Sequence, residues 1–91
     1  MTKGLLPGER IGRLPEKEEQ VLTLLAQGLK TIEIAETLGI TTHYVYFLAR
    51  MLRLRFSVDT NVAVVSHAIA EGIITADGKL VRSDQSQETR S

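Results

Sequence analysis

The sequence predicts an all-α fold, a tetrahelical helix-turn-helix domain at residues 14–74. Apolar residues recur at spacings of three and four throughout this segment, which is the period of a helix that buries one face. Gly28, Gly39 and Gly72 divide the pattern into stretches of helical length, and glycine commonly follows a helix end. A chain of 91 residues is long enough for one hydrophobic core and too short for two. We therefore expect one small domain.

The first two predicted helices are separated by Gly28. Pro15 suits the first turn of the first helix, because its missing N–H would have no partner there. The predicted apolar face of this helix is Val21, Leu22, Leu24, Leu25 and Ala26. The second helix is predicted from about Thr31 to Leu38, and its apolar positions are Ile34, Ala35 and Leu38. Gly39 then ends it.

A short turn over residues 39–41 leads into the third predicted helix, which extends to about residue 56. Thr41 or Thr42 is expected to cap its start, because a threonine hydroxyl can accept a free backbone N–H. The predicted core stripe is Val45, Leu48, Ala49, Leu52 and Phe56. Two helices joined by such a turn form a helix-turn-helix unit.

The fourth helix is predicted to begin at Asp59 or Thr60 and to end at Gly72. Its predicted buried residues are Val62, Val65, Ala68 and Ile69. After Ile74, the Asp-Gly pair at residues 77–78 predicts a short C-terminal hairpin or a simple turn.

The remaining segments flank this domain. Residues 1–13 contain Gly4 and Pro7-Gly8, and we expect them to form a flexible N-terminal arm. In residues 75–91 the turn or small hairpin is followed by a polar tail that we expect to be disordered.

Charge is balanced over the whole chain but not along it. The 11 Lys and Arg residues match 11 Asp and Glu residues, which argues against a protein that coats nucleic acid non-specifically. Residues 41–56 carry three arginines and no acid, whereas residues 14–40 carry two lysines against five glutamates. The third helix is therefore basic. This pattern fits either a localised nucleic-acid surface or a solvated basic face.

Several classes of protein are disfavoured. Without cysteine, the chain has no disulfide framework or thiolate zinc site. No apolar run fits a signal peptide or approaches the ~20 residues of a membrane span, so we expect a cytoplasmic protein. His43 and His67 lie on different predicted helices without a third metal ligand or a catalytic partner set. We expect no enzyme activity, no metal and no cofactor.

Residues 14–40, LPEKEEQVLTLLAQGLKTIEIAETLGI, resemble the start of the LuxR/NarL/FixJ-type DNA-binding domain. That family opens with Leu-Thr, an acid-rich first turn and Val-Leu, followed by Leu-Leu-Ala-x-Gly and Glu-Ile-Ala. All but the Leu-Thr step appear here, with Pro15 in place of the threonine. The resemblance continues through Thr41 and Val45 to residues 68–74. It implies a sequence-specific transcriptional regulator that binds double-stranded DNA as a homodimer. We expect it to stand alone, without a receiver or sensor domain.

The resemblance also implies roles for individual residues. The third helix, about residues 42–56, would enter the major groove. The implied base contacts are Thr42, His43, Tyr46, Phe47 and Arg50. The implied phosphate contacts are Lys30, Thr31, Arg53 and Arg55. Thr31 is also expected to cap the second helix, because Lys30 stands where the family favours serine. The implied dimer contacts on the fourth helix are Asn61, Val64, His67 and Ala68.

The third helix departs from the family where the family contacts DNA. The usual Thr-Val-Lys-x-His pattern is replaced by Tyr-Val-Tyr-Phe-Leu at residues 44–48, so Tyr46 stands at the lysine position. A helical wheel places Phe47 and Leu54 opposite the core and Met51 on a flank, an apolar patch of the kind that marks an interaction site or a covered surface. Three interpretations follow. The patch contacts DNA bases, it binds another regulator or RNA polymerase in an adaptor or antagonist, or it packs under the arm or tail.

Overall fold

Four helices make up most of residues 14–81, the part of the chain that this computed structural model describes. Their bounds are α1 Glu16–Ala26, α2 Thr31–Leu38, α3 Thr42–Phe56 and α4 Asn61–Ala70. The predicted all-α class is confirmed. The expected flexible arm at residues 1–13 and the expected polar tail from residue 82 onward lie outside the described residues. Within residues 14–81, no helix has the length and apolarity needed to cross a membrane.

The structure corrects two predictions about the residues at which helices start. Pro15 is the residue before α1 and not part of its first turn. Lys30, and not Thr31, is the N-terminal capping residue of α2. A lysine side chain cannot accept an N–H, so Glu33 supplies the local contact and its Oε1 accepts the Lys30 N–H at 2.7 Å. Thr41 caps α3 as predicted, accepting the N–H of Tyr44 at 3.0 Å.

Helix α3 lies at the centre of the fold and packs against each of the other three helices. Its predicted core stripe is confirmed, since all five of those side chains are buried. The buried cluster that joins the helices is Leu14, Val21, Leu22, Ile34, Ala35, Val45, Leu48, Leu52, Phe56, Val64, Ala68 and Ile74. Leu25 packs at the edge of this cluster and is only half-buried. One side of α3 is thus fixed in the core and the opposite side faces outward.

The buried face of α4 agrees with the predicted one only in part. Of the residues predicted to be buried, Ala68 is 0% exposed and Val65 is half-buried, whereas Val62 is 76% exposed and Ile69 is 38% exposed. Val64, which was not predicted to be buried, is 0% exposed. Apolar residues stand on several sides of this helix, so their spacing does not select one face. The i, i+4 pair that meets the core is Val64 and Ala68.

After α4 the chain reverses direction in a turn that packs on α1. Ile74 and Leu80 form an isolated antiparallel bridge, so the predicted hairpin is reduced to one bridge and its turn. Gly78 has a φ of +85° in that turn, and its carbonyl accepts a hydrogen bond from Gln27 Nε2 at 3.2 Å. A hydrogen bond from the Thr75 hydroxyl lowers the pKa of Asp77 in the same turn. The C-terminal turn is therefore part of the folded domain.

Candidate nucleic-acid interface

The α2-turn-α3 unit determines how α3 is presented. Gly39 ends α2 in the left-handed conformation, with a φ of +69° that favours glycine. The Ile40 N–H then returns to the Ala35 carbonyl at 3.0 Å, and Thr41 caps α3. This arrangement is the helix-turn-helix expected from the sequence. It leaves the second helix of the unit, α3, with one complete side directed away from the core.

The outward side of α3 carries polar and cationic side chains near its start. His43 and Arg50 are exposed and Thr42 is half-buried. None of the ion pairs found within residues 14–81 involves His43 or Arg50. Because α3 contains three arginines and no acidic residue, the formal charge of this helix is positive. Arg50 is therefore available to a ligand with acceptor atoms.

Apolar side chains share the same surface, as the helical wheel predicts. We call Tyr46, Phe47 and Leu54 the apolar outer face, since they are 62%, 51% and 61% exposed. Tyr44 is 40% exposed beside them. Its ring packs nearly parallel to that of Phe47, with centroids 6.2 Å apart and planes 17° apart. Met51, on the flank, is half-buried.

The four predicted phosphate contacts occupy different environments. Lys30 is exposed and Thr31 half-buried at the start of α2. The Glu33 carboxylate lies at the same helix end, where it accepts the Lys30 N–H. Its negative charge competes with a phosphate for that end. Arg53, near the end of α3, donates from Nη1 to Asn61 Oδ1 at 2.7 Å.

Arg55 has a partner that the sequence analysis did not anticipate. Its Nε donates to Glu18 Oε1 at 2.5 Å and its Nη2 to Glu18 Oε2 at 3.3 Å. The hydrogen bond to Glu18 raises the pKa of Arg55 above its ordinary value. Glu18, in the first turn of α1, is buried and only 5% exposed. Arg55 is thus committed to a contact between α3 and α1, which corrects its assignment as an independent phosphate contact.

The buried position of Glu18 has a signal in the sequence. Helical spacing places residue 18 on the same face as Leu14, Val21 and Leu22, all of which are buried. An acid on an apolar face requires a cationic partner, because an unpaired charge is costly to bury. Arg55, in a helix predicted to pack on the same core, was available as that partner.

The four predicted dimer contacts also separate into two groups. Val64 and Ala68 are 0% exposed, so neither offers surface to a second copy, and their assignment is wrong. Their side chains point to the core because α4 rests on that face. Asn61 and His67 are half-buried. The His67 ring lies 5.4 Å from that of Phe56.

A different part of α4 faces outward. Val62 is the most exposed large apolar residue of the described chain. It lies at an open groove between α4 and the end of α1, which is lined by Leu25, Gly28, Leu29, Asn61, Val62, Val65 and Ser66. Within residues 14–81, no group of three or more metal-binding side chains comes together.

Comparison with known proteins gives one family and two similar structures. The family model described as "Bacterial regulatory proteins, luxR family" matches residues 13–68. A structure of VqmA bound to DPO has a TM-score of 0.66 and 26% identity, covering 79% of this chain and 34% of its own. A structure of the Vibrio cholerae VqmA dimer without target DNA, described among LuxR-type receptors, has a TM-score of 0.66 and 25% identity. It covers 78% of this chain and 30% of its own, so the chain spans about a third of these VqmA chains. No match is found among curated protein sequences.

Proposed function

This chain belongs to the luxR family of bacterial regulatory proteins, and on that premise we propose that it is a sequence-specific DNA-binding transcriptional regulator whose α3 enters the major groove. The observation that supports this most directly is the outward side of α3. It belongs to the second helix of a helix-turn-helix unit, contains no acid, and carries Arg50, which makes no ion pair within residues 14–81. In helix-turn-helix proteins this helix lies in the major groove with its N-terminal residues against the base edges. The similar VqmA structures, one of which is described with reference to target DNA, support the same role.

Base recognition is proposed for five residues on the outward side of α3, between positions 42 and 50. Arg50 is the principal candidate, because a guanidinium donates two hydrogen bonds to the O6 and N7 of guanine. Thr42 and His43, at the start of the helix, are further candidates for hydrogen bonds to base edges, and Tyr46 and Phe47 lie between them and Arg50 along the helix. These five positions form one continuous surface.

Phosphate contacts are proposed for Lys30, Thr31 and Arg53. Lys30 is exposed at the start of α2, and Arg53 lies at the far end of α3. Two cations on either side of the base-contacting residues would fix the orientation of the helix along the groove. Arg55 is left out because its guanidinium is paired with the buried carboxylate of Glu18. Arg53 is kept because its partner, Asn61, is neutral and leaves the charge of Arg53 uncompensated.

A homodimer through α4 is proposed as the binding form. The similar VqmA protein is described as a dimer, and on this chain the exposed part of α4 and its groove supply the surface. Asn61 and His67 remain candidate contacts, joined by Val62 in place of the buried Val64 and Ala68. Binding to a bacterial chromosome also implies that the protein acts in the cytoplasm.

The direct test is selection of bound duplexes from a random DNA pool with the purified chain. We expect a defined sequence to emerge and its affinity to fall steeply as salt is raised, because phosphate contacts release counterions. If the wild-type chain retains no duplex at about 50 mM salt, where such contacts are strongest, the proposal is overturned.

The exposed apolar side chains of α3 favour a second candidate function, an adaptor or antagonist that binds another regulator or RNA polymerase. Phe47 and Leu54 are more than half exposed, and Met51 lies beside them. Contiguous exposed apolar surface commonly marks a protein contact. The affinity for a protein partner at this surface would change little with salt, so a salt titration distinguishes this function from DNA binding.

A further inference from the structure

We propose that Tyr46 and Phe47 contact the C5 methyl groups of thymines in the major groove, so that part of the bound sequence is specified by apolar contact. This inference rests on the proposed DNA-binding function. It addresses an unusual feature of this helix, which places two large exposed rings where a recognition helix ordinarily exposes hydrogen-bonding side chains.

The chemistry of the major groove limits what an apolar side chain can contact there. Each base edge presents hydrogen-bond donors and acceptors, and the thymine C5 methyl is the only methyl group among the unmodified bases and the largest apolar group in the groove. A ring placed against a donor or acceptor would remove water from it without replacing the hydrogen bond, which is unfavourable. Burial of the Phe47 ring, 51% exposed in the free chain, therefore favours thymine over the other bases.

Charge complementarity supports DNA as the occupant of this surface. Arg50 lies three residues after Phe47, on the same side of α3, and takes part in none of the ion pairs within residues 14–81. Helix α3 contains no acid that would repel phosphates. The two rings are therefore carried into the groove by a helix whose free charge attracts the duplex.

The ring of Phe47 has an aromatic neighbour in the free chain. Tyr44 packs nearly parallel to it, with centroids 6.2 Å apart, a spacing at which aromatic rings attract each other. A side chain that is already partly ordered loses less conformational entropy on binding. The contact with Tyr44 therefore favours Phe47 as a ring that contacts a methyl group.

Leu54 supplies a matched control on the same helix face. It is 61% exposed, so it resembles Phe47 in exposure and apolarity. It lies seven residues later, about 10 Å further along the helix axis. Because base contacts come from the N-terminal part of such a helix, Leu54 should lie beyond the methyl groups.

The experiment measures binding of the full chain to a duplex selected from a random pool and to the same duplex with deoxyuridine in place of thymine. This replacement removes the methyl group and leaves the hydrogen-bonding edge unchanged. Single replacements then locate the contacted positions. The proteins are the wild type, Phe47→Ala, Tyr46→Ala and Leu54→Ala. All three substitutions are at exposed residues, and thermal melting verifies that each variant is folded.

We expect deoxyuridine to weaken wild-type binding about fourfold per contacted methyl, the value of one buried methyl group. For Phe47→Ala and Tyr46→Ala, deoxyuridine should no longer weaken binding at the thymine that the replaced ring contacts. Leu54→Ala should remain as sensitive to deoxyuridine as the wild type at every thymine. Equal binding of the thymine and deoxyuridine duplexes by the wild type would overturn the inference and leave the proposed function intact. The inference would also be overturned, with the proposed function intact, if deoxyuridine weakened binding by Phe47→Ala as much as it weakens binding by the wild type. Failure of the wild type to bind any duplex would overturn both, and would leave the apolar outer face to a protein partner.

Discussion

At the scale of single residues, the pairing of Glu18 with Arg55 has the largest effect on how the site is interpreted. Glu18 is the one charged side chain that is buried within residues 14–81. Both of its carboxylate oxygens accept hydrogen bonds from Arg55, a residue 37 positions away in the chain. A carboxylate removed from water needs such a partner. A cation that the family resemblance assigned to DNA phosphates is therefore held within the fold by a buried carboxylate.

Replacement of Arg55 by alanine should destabilise the domain. The loss would leave Glu18 buried without its partner, and we expect the free energy of unfolding to fall by about 1–3 kcal/mol. This is below the value for a fully buried pair, because the Arg55 side chain is 36% exposed to solvent. Urea denaturation measures the change.

A second substitution, Glu18→Gln, is the control for the Arg55 variant. Added to Arg55→Ala, it should restore part of the stability, because a neutral amide is less costly to bury than a carboxylate. If Arg55→Ala unfolds like the wild type but lowers the salt slope of DNA binding by about 1, Arg55 is a phosphate contact after all.

Replacement of Arg50 by alanine should act on recognition and not on stability. Arg50 is exposed and makes none of the ion pairs within residues 14–81. We expect the selected DNA to lose its preference at one base pair, corresponding to about 1–3 kcal/mol of discrimination. Selection with Arg50→Lys is the matched control, since it keeps the charge and removes the bidentate donor. A uniform loss of affinity with unchanged base preference in Arg50→Ala would assign Arg50 to phosphates.

At the scale of helices, α3 and α4 show when the spacing of apolar residues predicts the buried face of a helix and when it does not. In α3 the apolar stripe alternates with tyrosine, histidine and arginine, so the buried face and its opposite were both predicted correctly. The exposure of Phe47 and Arg50 follows from the same pattern. In α4 the segment NVAVVSHAIA is apolar on several sides, and the core face depends on the packing of other helices against it. The pairing of Arg55 with Glu18 depends in the same way on contact between α1 and α3.

The turn after α4 gives a prediction at this scale. Alanine at Gly78 would have to adopt a φ of +85°, and its Cβ would lie 2.7 Å from Gln27 Cγ and 3.1 Å from the Thr23 carbonyl oxygen. Gly72→Ala is the matched control, because Gly72 has a φ of +77° but no atom within 4 Å of the added Cβ. We expect Gly72→Ala to cost about 1–2 kcal/mol for conformation alone. Gly78→Ala should cost more, as measured by thermal melting. Equal losses would show that the turn does not pack on α1.

At the scale of the whole molecule, the two surfaces proposed for partners lie on different helices. The outward side of α3 is proposed for DNA, and the exposed side of α4, around Val62, is proposed for a second copy. A dimer with two-fold symmetry presents two copies of α3 to one duplex. Its site should then be an inverted repeat with half-site centres roughly 10 base pairs apart, or a multiple of that spacing.

Val62→Asp should convert the dimer to a monomer without unfolding it. Val62 is 76% exposed, so a carboxylate at this position stays in water in the monomer and would be buried in the dimer. Sedimentation should show the change in mass, and the affinity for the inverted repeat should fall. Ile32→Asp is the control, since Ile32 is 58% exposed and lies on α2, which does not contact α4. A wild-type chain that sediments as a monomer at tens of micromolar and selects a non-palindromic site would contradict the dimer.

The reversal of the chain after α4 also fixes the place of residue 81, the last residue that the structure describes. Because the Val81 N–H returns to the Ile73 carbonyl at 2.9 Å, the segment that follows the turn runs back to the end of α4. Residue 81 is therefore tied to the helix proposed for dimerisation and not to the free end of a turn. A probe attached at this position, such as a fluorescent dye, lies beside that helix. It should interfere with self-association sooner than with contact between α3 and DNA.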